Sequence, residues 1–380
     1  MDFELSEEQR LLKDSVERLT TQRYDFEARK KFMKETDGWS RALWKQYVDL
    51  GLTALPFAEE HGGIGGGAVE TMIVMEAFGR ALALEPYFAS VVLGGAFLRL
   101  GAGDGLRADV LPKVAGGETL LAFAHTERQS RYDLADVAAM AKKDGAGYVL
   151  NGEKSLSVHG DCADKIIVSA RVAGDQRSRN GIGLFLVDAN APGVSRRGYP
   201  TMDGLRAAEI TLANVRVGAD AVIGEPGNAY PLIEQVVDIA IAALAAEAVG
   251  AMSAMHEITV DYLKQRKQFG VPIGNFQVLQ HRAGEMLIAL EQARSMAMLA
   301  TMMAEEQNAA ERRKSITAAK VQIGRSAKFI GQQAIQLHGG IGMTQEAKIG
   351  HYFKRLTMIE NTFGDTDYHL RRVTNGGGLV

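Results

Sequence analysis

The spacing of hydrophobic residues changes twice along the 380-residue chain. Up to about Leu120 it is helical, as in the run EEQRLLKDSVERL, which Ser6 can cap. From Leu121 to Gly224, short alternating runs are separated by Gly, Asn and Asp at roughly ten-residue intervals, which is typical of strands. Helical spacing resumes after Pro226. We therefore predict a mainly α protein with a helical domain at 1–120, an antiparallel β domain at 121–225 and a second helical domain at 226–380.

The longest apolar run extends from Val236 to Gly270, and its first twenty residues are apolar apart from Asp238, Glu247 and Ser253. A run of this length could cross a membrane. However, two carboxylates in hydrocarbon are costly, and the run is rich in Ala rather than in Leu, Ile or Phe. A helix that is apolar on every side and rich in small residues is typical of the centre of a helix bundle. We predict a buried core helix and no membrane span.

Glu247 on this helix is the first candidate for chemistry. Burial disfavours the charged form of a carboxylate and makes it a better proton acceptor, which suits general acid–base catalysis. The alternative is a structural acid paired with a Lys or Arg from another helix. Arg266 lies about 28 Å further along the same helix, at about 1.5 Å per residue, in a basic segment whose simplest interpretation is a solvated helix end.

Composition excludes several classes of function. The formal net charge is only −3, which gives no indication of a nucleic-acid partner or an anionic membrane surface. The single Cys162 rules out an intramolecular disulfide, and the first residues, MDFELSEEQRLL, are typical of an amphipathic helix rather than a signal peptide, so we expect a cytoplasmic protein. His256 and Glu257 lack the second His of a zinc motif, and no metal site is expected.

A glycine-rich stretch at 62–68 fits the outline G-x-G-x-x-A of a dinucleotide-binding turn. The preceding residues contain Pro56 and acids instead of a buried strand, so the βαβ context of that motif is missing. We predict a turn between helices.

Two segments carry a resemblance to a known family. RKQFGVPIGNFQVLQH (Arg266–His281) resembles the R-x-x-F-G…F-Q segment of the acyl-CoA dehydrogenase family, and QLHGGIG (Gln336–Gly342) resembles its Q-x-x-G-G-x-G segment. N-G-E-K at Asn151–Lys154 and T-E at Thr126–Glu127 are similar to two of its middle-domain segments. The resemblance implies the acyl-CoA dehydrogenase fold, with a C-terminal four-helix bundle and with FAD bound between the domains and across a subunit interface.

In that family the Arg holds the FAD pyrophosphate, and the glycines of the second segment let the backbone approach the FAD of a neighbouring subunit. The resemblance implies cofactor contacts from Ala124, Thr126, Ser157, Val158, Arg266, Phe269, Phe276, Gln277, Gln336, Leu337, Gly339, Gly340 and Thr366. Two segments depart from the family pattern. R-Q-S-R-Y-D replaces P-G-A-G-S-D, and L-S-V at 156–158 replaces Trp-x-Thr beside the flavin, so the hydroxyl that bonds flavin N5 is absent or moved to Ser157.

The usual catalytic acid of the family is missing. Counting from Arg355, the Glu of Y-E-G-T falls on Gly364, and the slot that other members use on the long helix aligns with Ala240. Glu247 lies where a heteromeric branch carries its base, Asp365 is the rival, and the third alternative is that the chain has no base. Gly364 is expected to keep its backbone N–H as a donor to the thioester oxygen and to widen the pocket.

The resemblance also implies the reaction and the partners. The reaction is FAD-dependent α,β-dehydrogenation of an acyl-CoA thioester, with pimeloyl-CoA or another dicarboxylic or bulky acyl-CoA as substrate. Electrons pass to an electron-transfer flavoprotein, and the assembly is a homotetramer or an α2β2 heterotetramer. Two alternatives stay open: a non-catalytic or half-site partner subunit, and an acyl-CoA oxidase.

Overall fold

The structure, a computed structural model, describes residues 4–375, and its elements follow the predicted order of helices, strands and helices. The helices are α1 (Glu7–Arg23), α2 (Phe26–Phe32), α3 (Arg41–Asp49), α4 (Ala68–Ala81), α5 (Gly95–Gly101), α6 (Asp104–Ala115), α7 (Tyr230–Gln265), α8 (Gln277–Met303), α9 (Ala309–His338), α10 (Lys348–Asn361) and α11 (Thr366–Asn375). The strands are β1 (Leu121–Ala124), β2 (Met140–Asp144), β3 (Gly147–Val158), β4 (Lys165–Arg171), β5 (Ile182–Asp188), β6 (Val194–Pro200), β7 (Arg206–Val217), β8 (Val222–Gly227), β9 (Lys267–Gln268) and β10 (Val271–Pro272).

The first helices begin where the sequence supplies a cap. Ser6 accepts a hydrogen bond from the Gln9 backbone at 3.2 Å, and the Gln9 side chain accepts one from the Ser6 backbone at 3.0 Å, which is a capping box. Ser40 caps α3 through the Leu43 N–H. Helical turns and not a strand precede the glycine-rich stretch before α4, which confirms that this stretch is a turn.

The strands from β1 to β8 form one sheet, with β6, β7, β3, β2, β4, β5 and β8 in spatial order. Neighbours pair antiparallel, as predicted, except that β1 runs parallel to β4 and β2 meets β4 in parallel at one residue pair. Because β1 is reached from α6 and not through a hairpin, no tight turn imposes an antiparallel direction on it. Alternate residues such as Val168 of β4 and Phe185 of β5 form the buried core of the sheet.

Packing divides the chain into two compact units, and the predicted domain limits stay a prediction. One unit comprises Met1–Lys31, Ala68–Ala83 and Ile241–Val380, and the other comprises Phe32–Gly67 and Leu84–Ala240. The predicted limits at 120 and 225 lie close to the first and last strands of the sheet. The N-terminal helices, however, are shared between both units.

Helix α7 is the element on which the site depends. Within residues 4–375 it is the one helix long and apolar enough to cross a membrane, and 94% of its most apolar window is buried inside the protein, as in a core helix. Two glycines bring it against α4 in the first unit. A Cβ on Gly79 would lie 1.9 Å from the Glu247 carbonyl oxygen, and one on Gly250 would lie 1.9 Å from that of Glu76. The absence of side chains at these glycines therefore allows the backbone contact that places Glu247.

Helices α8, α10 and α11 of the first unit pack around α9. This helix contacts α8 along its length and also contacts α10 and α11. Helix α10 is amphipathic, with Tyr352, Arg355 and Leu356 among its buried residues, and it ends six residues before Asp367 of α11. The turn between α10 and α11 contains the position at which the family acid was expected.

Candidate active site and cofactor-binding residues

Glu247 is buried, as the sequence predicts, with 5% of its surface exposed. Its two carboxylate oxygens accept hydrogen bonds from Arg355 of α10, from Nε at 2.5 Å and from Nη2 at 2.7 Å. The paired-acid alternative therefore describes its contacts correctly, and the partner is the same Arg355 from which the family motif was counted. A bidentate pair of this kind fixes the orientation of the carboxylate.

The pairing leaves part of the Glu247 carboxylate open. In the described part of the chain, no donor other than Arg355 contacts it. An ionised carboxylate offers about four lone-pair positions, of which this pair occupies two. The remaining lone pairs can accept a proton, so the geometry permits a role as a base without requiring one. The assignment of Glu247 as the catalytic base stays a prediction.

Gly364 lies in the turn between α10 and α11 with φ +115°, a conformation that favours glycine. A Cβ at this position would lie 2.5 Å from His369 Nε2 and 2.5 Å from Tyr368 Cδ1. No acid can therefore occupy this position without displacing the first turns of α11. Within residues 4–375 no acceptor contacts the Gly364 backbone N–H, which leaves it available as a donor.

Asp365, the rival acid, directly precedes α11. Its Oδ1 accepts a hydrogen bond from the Tyr368 N–H at 2.8 Å, and its backbone carbonyl accepts from the His369 N–H at 3.0 Å. These contacts are those of a helix N-cap, which satisfies donors that the helix leaves unpaired. The structure thus gives Asp365 a structural role that the sequence analysis did not consider.

Two titratable side chains beside this turn were missed by the sequence analysis. Lys320 of α9 is buried and donates to the carbonyls of Ile359 and, at 3.2 Å, of Glu360, so that it holds the end of α10. Burial lowers its pKa to about 8, although Glu360 and Asp365 oppose the shift. His369 Nε2 lies 3.0 Å from the Phe363 carbonyl, and burial lowers the pKa of this imidazole to about 3. Lys320, in the apolar stretch AAKVQIG, was detectable as a lone charge on a core helix.

A second site brings together the two segments that resemble the FAD-binding motifs. Arg266, Gln336, Leu337, Gly339 and Gly340 all line one open cavity of about 710 Å³. The predicted contact of the second segment with the cofactor of a neighbouring subunit stays a prediction, and both segments line the same cavity. Tyr262, Arg282 and His338, which the sequence analysis did not name, also line it.

The chemistry of this cavity suits an anion. Arg266 is exposed, and within the described residues its guanidinium forms no ion pair or hydrogen bond. Gly339 has φ +59°, and a Cβ on either Gly339 or Gly340 would meet no atom within 4 Å. A free guanidinium beside an exposed glycine backbone is a suitable cradle for a pyrophosphate. The residues present therefore fit the pyrophosphate of FAD.

Four other predicted cofactor residues lie outside this cavity. Phe269, in the turn between β9 and β10, is 92% exposed and meets Phe276 edge to face at 6.1 Å. Gln277 begins α8 and is exposed. The Thr366 hydroxyl and N–H both donate to Glu360, at 2.6 and 2.9 Å. Their proposed contacts with the cofactor stay predictions.

The predicted middle-domain residues are more enclosed than expected. Ala124 is fully buried in the core of the sheet, so its side chain is not available to a ligand. The Ser157 hydroxyl donates to the Phe123 carbonyl at 3.0 Å, which explains its burial. Val158 pairs with Ala207 of β7. Thr126 is half-buried, and its carbonyl accepts the Ser155 N–H at 2.8 Å.

A buried ion pair links the T-E and N-G-E-K segments. Lys154 Nζ donates to Glu127 Oε1 at 2.7 Å and to Ser169 Oγ at 3.1 Å. Burial lowers the pKa of Lys154 to about 8, against the attraction of Glu127. Burial alone would raise the pKa of Glu127, but Lys154 and the other donors lower it overall. The pair fixes the backbone on either side of Thr126.

His125 completes this cluster and was missed by the sequence analysis. Its Nδ1 lies 2.9 Å from Ser169 Oγ, and its ring stacks on Phe123. Burial, and then the charge of Lys154, lower its pKa to about 3, so it is neutral. A neutral imidazole here keeps the cluster from carrying a second positive charge.

Comparisons with known proteins cover the same regions. Residues 6–118, 122–215 and 232–377 match the family models for the N-terminal, middle and C-terminal domains of acyl-CoA dehydrogenase. Mitochondrial isovaleryl-CoA dehydrogenase of Oryza sativa subsp. japonica is 30% identical over 343 residues, which cover 89% of this chain and 82% of that protein.

Solved structures show the same similarity. The FAD complex of PigA is 26% identical, with a TM-score of 0.91 and 100% of both chains covered. A variant of the Tcur3481-Tcur3483 steroid ACAD is 28% identical, with a TM-score of 0.88 and 97% of both chains covered. The chain therefore belongs to the acyl-CoA dehydrogenase family, in which it is an oxidoreductase of the CH–CH group of acyl-CoA thioesters with FAD as its cofactor.

Proposed function

We propose that this acyl-CoA dehydrogenase acts on a dicarboxylic or otherwise bulky acyl-CoA, with pimeloyl-CoA as the first candidate, and that Glu247 removes the α-proton. The observation that carries the proposal is the state of Glu247, a buried carboxylate with a single partner and open lone pairs. The whole sequence also resembles the small subunit of pimeloyl-CoA dehydrogenase, which supports this choice of substrate.

Each residue at the site has a distinct part in this scheme. Glu247 takes the proton from Cα, and Arg355 holds the carboxylate in a fixed orientation beforehand. The Gly364 N–H donates to the thioester oxygen, on which negative charge develops as the α-proton leaves. FAD, when bound, supplies the acceptor for the hydride that leaves Cβ, so that a Cα–Cβ double bond forms. Arg266, about 28 Å along the helix from Glu247, and the Gly339–Gly340 backbone would hold the pyrophosphate of the FAD that serves a neighbouring subunit.

The glycine at position 364 does not leave free volume for a bulky acyl chain, because a Cβ there would lie 2.5 Å from His369 Nε2 and from Tyr368 Cδ1. The expectation that Gly364 widens the pocket is therefore wrong, and the proposed substrate class is supported by the sequence resemblance alone. Lys320 fixes the end of α10 and therefore the turn that carries this glycine.

Assembly with further subunits is part of the proposal. Large apolar side chains are exposed on α8 and on the segments beside it: Phe269 at 92%, Val278 at 60%, Ile288 at 61% and Met343 at 78%. Exposed apolar surface of this kind marks a protein interface. We place it between subunits of a tetramer, either four copies of this chain or α2β2, and the Tcur3481-Tcur3483 structure, named for two proteins, favours the second arrangement. Electron-transfer flavoprotein is the proposed electron acceptor, in the cytoplasm.

A second candidate function is a partner subunit without complete chemistry. Two observations favour it: Asp365 is engaged as a helix cap, and Glu247 is engaged with Arg355. In that case the chain supplies FAD-binding segments to another subunit that carries the base.

One anaerobic titration separates these functions. The chain is purified alone, its flavin spectrum is recorded, and pimeloyl-CoA is added without air. We expect the flavin to bleach with the chain alone. Bleaching only after a co-purified partner is added would establish the partner-subunit function instead, and peroxide production in air would identify an oxidase. A FAD-loaded chain that no acyl-CoA reduces, with or without a partner, would refute the dehydrogenase proposal.

A further inference from the structure

A cavity of about 520 Å³ lies within the first compact unit, between α1, α4, α7 and α10. It is lined by side chains that the dehydrogenation scheme does not use, with Thr20 and Tyr24 from α1 and its end, Arg80 from α4 and Lys348 and Tyr352 from α10. Its volume is sufficient for a small metabolite.

The three acids that line this cavity all have partners. Glu257 of α7 accepts two hydrogen bonds from Arg80, of which that from Nη1 to Oε1 is 3.0 Å long. Asp25 caps α2 through the Ala28 N–H at 2.7 Å. Glu17 lies 4.0 Å from Lys13 on the exposed side of α1. Glu257 and Glu17 are thus paired with cations, whereas Asp25 is engaged as a helix cap and keeps its negative charge.

Among the described residues that line the cavity, Lys348 is a cation without an acidic partner. It is half-buried, and within residues 4–375 its ammonium forms no ion pair or hydrogen bond; it lies 5.2 Å from the centre of the Tyr352 ring. Burial lowers its pKa first, and the neighbouring guanidiniums of Arg29 and Arg80 lower it further, whereas Asp25 acts in the opposite direction. A partly buried charge without a partner costs free energy that an anion would recover.

We propose that this cavity binds a small anionic ligand through Lys348, with a carboxylate or a phosphate as the recognised group. The ammonium supplies charge-assisted hydrogen bonds to the anion, and the Tyr352 ring limits the orientation of the lysine. Arg80 and Glu257 line the same cavity and pair with each other, so neither forms an ion pair with Lys348. This site is separate from Glu247 and from the Arg266 cavity, and it does not depend on the proposed function.

Calorimetric titration of the FAD-loaded protein tests the proposal, with inorganic phosphate and succinate as probes at constant ionic strength. We expect saturable binding of at least one probe, and in Lys348→Met a loss of affinity of about tenfold or more, because one charge-assisted contact is removed. Lys348→Arg should retain binding. Lys354→Met, on the same helix but outside the cavity lining, should bind as the unmodified protein does.

The two probes also identify the chemistry of the ligand. Binding of phosphate alone assigns a phosphate site, binding of succinate alone a carboxylate site, and binding of both a general anion site. The proposal is overturned if neither probe binds, or if Lys348→Met and Lys354→Met bind equally well. Because the measurement records heat and not flavin reduction, its outcome does not depend on catalysis.

Discussion

Two buried carboxylates, Glu127 in the sheet domain and Glu247 on α7, are in contrasting states. Glu127 accepts from Lys154, from the Gln129 side chain at 2.7 Å and from the backbone N–H groups of Ala138 and Ala139 at 2.8 and 3.0 Å. Glu247 accepts only from Arg355 within the described residues. Both are ion-paired and excluded from water, but Glu127 has a donor at each lone pair.

This difference separates a structural acid from a candidate base. A carboxylate whose lone pairs are all occupied must break a hydrogen bond before it accepts a proton, whereas one with open lone pairs can accept it directly. Burial and pairing alone do not distinguish the two, because they are common to both. The number of hydrogen-bond donors around each carboxylate distinguishes them. We therefore expect mutation at Glu247 to affect catalysis and mutation around Glu127 to affect stability.

The largest expected effect is that of Glu247→Gln. Gln keeps the shape of the side chain and one acceptor for Arg355 but cannot take the α-proton. We expect FAD to be retained and the rate of flavin reduction by acyl-CoA to fall on the order of 10²–10⁴-fold. Stopped-flow absorbance without air measures this rate. Glu257→Gln is the control, because Glu257 lies on α7 like Glu247 but is exposed and pairs with Arg80 of α4. An unchanged rate in Glu247→Gln would remove the base assignment.

Lys154→Met tests whether Glu127 has a structural role. It leaves Glu127 buried with its charge uncompensated, so we expect a loss of about 3–5 kcal/mol in the free energy of unfolding. Urea unfolding followed by circular dichroism measures the loss. Lys142→Met, on the exposed side of β2, should cost little. A loss below about 1 kcal/mol for Lys154→Met would mean that the backbone donors alone satisfy Glu127.

Gly364→Ala tests whether position 364, which holds the catalytic Glu in the usual family motif, has space for a side chain. The added Cβ would lie 2.5 Å from both His369 and Tyr368 in a conformation that favours glycine, so we expect a loss of about 1–3 kcal/mol of stability. Gly284→Ala is the control, because a Cβ there would meet no atom within 4 Å. For the same reason, Gly364→Glu is not expected to restore activity to Glu247→Gln. Restored activity would show that α11 can move aside.

Two arginines differ in the same way, because one has hydrogen-bond acceptors around its guanidinium and the other has none among the described residues. Arg171 of β4 donates to five backbone carbonyls and has a structural role, whereas the Arg266 guanidinium contacts no acceptor in the described chain. We expect Arg266→Ala to weaken FAD binding about tenfold or more, measured by flavin fluorescence after dilution. Lys264→Ala, on the same helix end but outside the cavity lining, should retain FAD. Equal loss in both variants would indicate a general charge effect.

The sequence predicted single elements better than their contacts. The apolar run around Glu247 was sufficient to predict its burial, because periodicity reports which faces of a helix avoid water. Its partner Arg355 is 108 residues away, and no local pattern encodes which helices meet. Glu127 and Lys154 both lay in recognised segments, but their pairing depends on sheet topology. The Asp365 cap was accessible in principle, since an Asp directly before a helix is an N-cap signal.

The smallest expected effect concerns His125 in the sheet domain. Its pKa is about 3 in the folded protein, lowered mainly by burial, against an ordinary value of 6.5, so between these pH values the unfolded chain binds the extra proton. Stability contributed by the neutral imidazole is therefore present above pH 6.5 and is lost as the pH falls, by about 1 kcal/mol between pH 7 and 5.5 for one such group. His125→Phe keeps the stacking on Phe123 and removes the titration. Urea midpoints measured across this range should fall less steeply in His125→Phe than in the unmodified protein or in His61→Asn. Identical slopes would mean that the His125 imidazole accepts a proton inside the folded protein. The hydrogen-bonding groups around His125 would then be less fully paired than those around Glu127.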